Sequence, residues 1–152
     1  MRLVGSREAT IVTDLSADRL REWTGRRGLV SPDIPAHGKG TQARFSWQTL
    51  LVLRLAATLR DRLHVELSAY KSTLRLLQVR LAGEPFHGLT GCFVMLDVEQ
   101  AMLLRSPDAS YVATPEGFCV LSLQPHLDAI ASAIGVTEKS VQRSLFAAMA
   151  VR

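Results

Sequence analysis

Apolar positions in the first third of the chain fall in short helical arcs separated by capping and breaking residues. Ser6 is placed to cap a helix of about two turns that carries Ala9, Ile11 and Val12, and Thr13 with Asp14 breaks the pattern. Ser16 then offers a second cap, its hydroxyl positioned to accept from the amides of the following turn. In that next helix Leu20 and Trp23 share one face, with Leu15 packing just before it, while Arg19, Glu22 and Arg26 lie elsewhere on its surface. Gly25 and Gly28 close it, one of them in a left-handed C-terminal position. Residues 31–39 hold Ser, Pro, Asp, Pro, His, Gly and Lys, a composition of loops and hairpins, and Thr41 to Phe45 supplies a returning strand. Ser46 caps a long helix whose Trp47, Leu50, Leu51, Leu53, Leu55, Leu59 and Leu63 surround so much of its circumference that it must be buried on more than one side.

Beyond it, Leu67, Tyr70, Leu74, Leu77 and Leu81 recur at steps of 3, 4, 3 and 4, a second amphipathic helix ended by Gly83. From Cys92 to Leu123 the period changes. Apolar runs at Cys92–Leu96, Ala101–Leu104, Tyr111–Ala113 and Phe118–Leu123, with Pro107, Asp108, Pro115, Glu116 and Gly117 as turn residues, predict a small antiparallel sheet. Pro125 suits the first turn of a helix, and the remainder reads as two helices joined near Gly135. The expected fold class is α+β and mainly helical, in three segments: 1–63, a connecting helix at 64–82, and a small α/β unit at 83–152.

Composition narrows the function classes. Of 152 residues, 47% are apolar and 21% charged, the balance of a globular chain with a real core. No apolar run approaches the roughly 18 residues that span a bilayer, and the opening MRLVGSREA lacks an apolar secretory centre, so a cytoplasmic protein with no membrane partner is expected. Cys92 and Cys119 form no CxxC pattern and read as buried thiols in strands, so no metal site is expected. His37, His64, His87 and His126 are scattered, and no nucleophile motif, phosphate loop or carboxylate pair stands out; neither a catalytic residue nor a cofactor is expected. Charge is distributed unevenly. Residues 1–63 hold 11 Lys and Arg against 6 Asp and Glu, whereas 64–152 hold 7 against 8, which places the whole basic excess at the N-terminal end. A module that docks on a polyanion has this asymmetry, because only the surface facing phosphates gains from counterion release.

Residues 16–63 resemble the MerR family of winged helix-turn-helix DNA-binding proteins. The resemblance rests on SADRLREWTGRRGLVSP at 16–32, a glycine-containing loop, and ARFSWQTLLVLRLAATLR from Ala43. Gly28, Leu29, Val30 and Pro32 match the family's turn after the recognition helix, and Arg44, Phe45 and Ser46 approximate the step into its leucine-rich helix. The chain departs from the pattern at Asp18, where an Arg is common, in one extra residue between Trp23 and Gly28, and in a first helix without the usual Gly. The long dimerisation helix and cysteine-rich metal loop of many family members are absent from the sequence, so metal sensing is not implied.

The resemblance implies a homodimer on double-stranded DNA, with a recognition helix at 17–27 in the major groove and a wing at 33–45 on the backbone. Arg19, Arg21, Arg26 and Arg27 would supply donors to phosphates and base edges, with Lys39 and Arg44 contacting phosphates from the wing and Gly38 and Gly40 allowing close approach. Trp23 is assigned to the core, and Arg54, Arg60 and Arg62 to solvent. Ala131, Gly135 and Val141 have the spacing of a second helix-turn-helix, which would offer Lys139, Ser140, Gln142 and Arg143, with Thr137 and Glu138, as a further DNA-reading surface. Two other functions fit the same sequence: an excisionase-like architectural factor, and an antitoxin or adaptor whose C-terminal unit binds a protein partner.

Overall fold

The computed structural model describes residues 2–105 and 117–135. Within them the chain is α+β and mainly helical. A two-residue strand β1 (Val4–Gly5) leads directly into α1 (Ser6–Thr13). Gly5, not Ser6, occupies the cap position, and it makes no side-chain cap; Ser6 is already helical, one residue beyond its expected place. Asp14 ends α1 in the left-handed conformation at φ 56°. The next helix, expected to run unbroken to residue 27, is instead α2 (Ala17–Arg21) followed by a π turn at Glu22–Arg26. A π turn accommodates an additional residue within a helix. Trp23 remains in the interior within this turn, 2% exposed.

The returning strand is shorter than anticipated, β2 (Arg44–Phe45), and it has two neighbours. Val4 pairs with Phe45 and Gly5 with Arg44 in antiparallel register, and Ile34 bridges Arg44 from the other side. α3 (Trp47–Asp61) is capped by Ser46, whose hydroxyl accepts from the Thr49 amide. Four consecutive residues, Leu50 to Leu53, are fully buried, which is possible only for a helix covered all round. Leu63 falls beyond the end of α3 and is exposed, so it does not continue the stripe. A 3-10 turn at Leu67–Tyr70 opens α4 (Lys71–Leu81), with Leu67, Leu74, Leu77 and Leu81 buried.

A second 3-10 turn, Phe86–Leu89, sets Phe86 edge-on against Trp47 with ring centroids 5.0 Å apart. The sheet then follows: β3 (Phe93–Leu96), β4 (Ala101–Leu104) and β5 (Cys119–Ser122), antiparallel in the order β4-β3-β5. The expected strand at 111–113 and its turn residues Pro107, Asp108, Pro115 and Glu116 lie outside the described residues. Asp97 closes the β3–β4 hairpin by accepting the Glu99 and Gln100 amides, and its carbonyl accepts from Thr73 of α4, which ties helix to sheet. Cys92 is buried beside β3 and Cys119 half-buried in β5, both as free thiols.

The last described helix, α5 (Gln124–Ile134), has Pro125 in its first turn and Gly135 as a left-handed cap. It packs on α1 and α3. One continuous hydrophobic core therefore takes Val4, Trp23 and Leu50 from the N-terminal segment, Leu74 from the connecting helix, and Leu127 and Ile130 from α5. Arg54, expected at the surface, is half-buried in this junction. Its Nη1 donates to the Val12 carbonyl at the end of α1 (2.6 Å), because α1 and α5 close over the side of α3 that carries it. Burial pulls Arg54 below its ordinary pKa, with Asp14 opposing. Among the described residues no helix is long and apolar enough to cross a membrane.

Candidate nucleic-acid interface

The arginine-bearing segment after Ser16 is held at both ends. At its start Ser16 Oγ accepts the Arg19 amide at 3.1 Å, and Leu20 and Trp23 are 3% and 2% exposed against the leucines of α3. At its end the Arg27 amide reaches back to the Glu22 carbonyl (2.8 Å), and the Leu29 and Val30 amides converge on the Trp23 carbonyl (2.8 and 3.3 Å). Gly28 makes this closure at φ +57°, and Leu29 and Val30 drop into the core immediately after it. Such anchoring leaves Asp18, Arg21, Glu22, Gly25 and Arg26 exposed on the outer side.

The four arginines of this segment have different surroundings. Arg19 bonds both carboxylate oxygens of Asp61 at the end of α3 (3.0 and 3.2 Å) and lies 5.6 Å from the centroid of the Trp23 ring. Arg27, 26% exposed, reaches Glu66 Oε1 (3.2 Å) and Ser68 Oγ (3.0 Å). Glu66 sits below the usual carboxylate range because the Ser68 amide and hydroxyl bond it, with Arg27 and Arg60 adding attraction. Arg19 and Arg27 therefore brace the helix to the α3–α4 region. A guanidinium has five N–H donors, so each brace leaves donors unused. Arg21 makes only a long 3.4 Å contact with Asp18, and both are largely exposed. Arg26 has no ion pair among the described residues.

The hairpin at 33–45 is built from its base outward. Asp33 Oδ2 accepts the Ser46 amide (2.6 Å) and the Thr49 hydroxyl (2.8 Å), a carboxylate at the N-terminal end of α3 where the helix dipole favours it. Ile34 and Arg44 exchange both backbone hydrogen bonds. At the tip, Thr41 Oγ1 accepts the His37 amide and donates to the Gly38 carbonyl. Gly38 and Gly40 both have positive φ, and each faces open space. Lys39 between them and Arg44 on the strand are exposed, with no ion pair among the described residues.

Two further cations adjoin this surface that the charge count had hidden. Lys71 Nζ and Arg75 Nη2 lie 3.6 and 3.8 Å from the point where a Gly28 side chain would begin. They are one helical turn apart on α4, and neither has an ion pair among the described residues. Like charges at this spacing repel in an isolated helix, and an external anion relieves that repulsion. The readable signal was the i, i+4 spacing of Lys71 and Arg75 beside the leucine stripe, which the nearly balanced charge of residues 64–152 masked.

Of the second expected surface, Ala131 lies in α5 and Gly135 caps it, whereas Val141, Lys139, Ser140, Gln142, Arg143, Thr137 and Glu138 lie outside the described residues. In comparison with known proteins, no protein-family model matches the chain and no curated protein matches it.

Proposed function

We propose that this protein binds double-stranded DNA as a homodimeric, sequence-specific transcription regulator. In this reading α2 and its π turn enter the major groove, and the hairpin at 33–45 lies along the adjacent backbone. The observation that carries it is the pairing of a rigidly anchored, arginine-bearing helix with a projecting two-glycine hairpin whose Lys39 and Arg44 have no counter-ion among the described residues. Recognition of duplex needs both: rigid presentation for base edges, and cations that gain more from phosphate than from their own protein. Lys71 adds a further cation beside Gly28 at the end of the arginine-bearing segment.

Selection of bound duplexes from a random pool tests the reading. A recovered inverted repeat, with half-sites about one helical turn apart, is the expected outcome for a two-fold dimer. Recovery of no enriched sequence at any salt would refute sequence-specific recognition.

A further inference from the structure

Between the base of the hairpin and α4 runs an open-sided cleft of about 640 Å³, walled by Ser31, Pro32, Asp33 and Thr49 on one side and by Arg75, Gln78, Val79 and Ala82 of the α4 region on the other. This volume lies within the range of small-molecule sites. We propose that it binds a short peptide with free termini, or a zwitterion of that size, its ammonium group toward Asp33 and its carboxylate toward Arg75.

Two opposite charges line this one cleft without meeting. Asp33 and Arg75 make no ion pair, so their nearest charged atoms are more than 4.0 Å apart. Asp33 uses only Oδ2 in holding Ser46 and Thr49, and among the described residues Oδ1 has no donor and stands ready to accept. Arg75 has neither a hydrogen bond nor an ion pair among the described residues, and its planar fork matches a carboxylate. A ligand that carries the complementary charges at its two ends satisfies both. Between them Pro32, Val79 and Ala82 supply an apolar strip, and Val79 is 73% exposed although it is a β-branched apolar residue on a helix. Gln48 also lines the cleft, and its buried Oε1 has no partner among the described residues. A small rotation of that amide toward a peptide N–H would provide one.

The cleft is held open before any ligand arrives. Gln78 spans its end by accepting the Ser31 amide (3.0 Å) and donating to the Ser31 carbonyl (2.8 Å), as a neighbouring strand would. Asp33 also anchors the base of the hairpin that carries Lys39 and Arg44, so a ligand on its carboxylate would bear on that hairpin. That coupling, unlike the binding itself, rests on the DNA reading above.

The test is a titration of the ¹⁵N-labelled full chain, without DNA, with an equimolar library of tripeptides having free termini. Saturable shifts are expected at Gln78, Val79 and Ser31. Capping both ends of the peptides, Arg75→Gln, or filling the cleft by Val79→Trp should each weaken binding at least tenfold. Absence of a saturable shift in the folded wild-type protein would overturn the proposal, and so would equal binding of the capped library. A second arm measures duplex affinity with and without the bound peptides, so a failure of DNA binding is read separately from a failure of the cleft.

Discussion

Arg26, Lys39 and Arg44 give the most direct test of the basic surface, because removing their charges breaks no ion pair among the described residues. Replacing all three by Gln should leave the urea midpoint of unfolding within experimental error, since all three side chains are exposed and surface substitutions away from special features change stability little. The effect should appear in the salt dependence of duplex binding. Each phosphate neutralised contributes about 0.9 to the slope of log K against log salt, so three lost contacts per protomer, about six per homodimer, reduce its magnitude by about 5.4. Between about 50 and about 200 mM salt this removes about 3.3 log units of the wild-type decline, or about 1,800-fold. Fluorescence anisotropy with one labelled duplex across that range measures both slopes. Arg19→Gln and Arg27→Gln serve as the contrast, because they break the contacts with Asp61 and Glu66 and should lower stability as well as affinity. Parallel salt slopes for wild type and triple variant, with both proteins folded, would refute the assignment of these three side chains to phosphate.

Two further outcomes are expected. Gly28→Ala should destabilise by about 1 kcal/mol through its positive φ, since its nearest neighbours, Lys71 Nζ and Arg75 Nη2, are at ordinary contact distance; equilibrium urea unfolding checks it. His126 in α5 is lowered from 6.5 to about 4 by burial and then by repulsion from Arg54. The unfolded chain therefore binds the extra proton between those values, and stability should fall as pH drops from about 6.5 toward about 4. His126→Gln should flatten that part of the urea-midpoint profile; an unchanged profile would contradict the burial of His126.

What was legible in the sequence depended on range. Ser16 and Ser46 act on amides three residues away, and Gly28 answers to the backbone of its own turn, so their roles can be read locally. The stripe Leu67, Leu74, Leu77 and Leu81 and the runs at Phe93–Leu96 and Ala101–Leu104 gave their elements by period alone. Strand β1 is too short to show a period, and its partner Arg44 is distant in the chain. The π turn has no residue signature of its own and became visible only through the Arg27-to-Glu22 hydrogen bond. Arg54 looked like a surface residue because the carbonyl it meets belongs to Val12 and the helix that helps cover it begins at Gln124. The candidate site shows the same division. Its arginines were countable, but the restraint of Arg19 by Asp61 and of Arg27 by Glu66 depends on tertiary approach across about 40 positions.

Helix α5 has a consequence for how this chain acquires its shape during synthesis. It covers α1 and α3, and Arg2 near the N-terminus donates to the Ile134 carbonyl at its far end (2.7 Å). A nascent chain that has emerged only as far as α3 has made the arginine-bearing segment but not the surface that closes over its scaffold. The side of α3 that α5 covers then remains open to water, a form prone to aggregation and proteolysis. Closure of the N-terminal part therefore awaits Ile134, and a chain stopped before α5 lacks the cover that this helix gives α1 and α3.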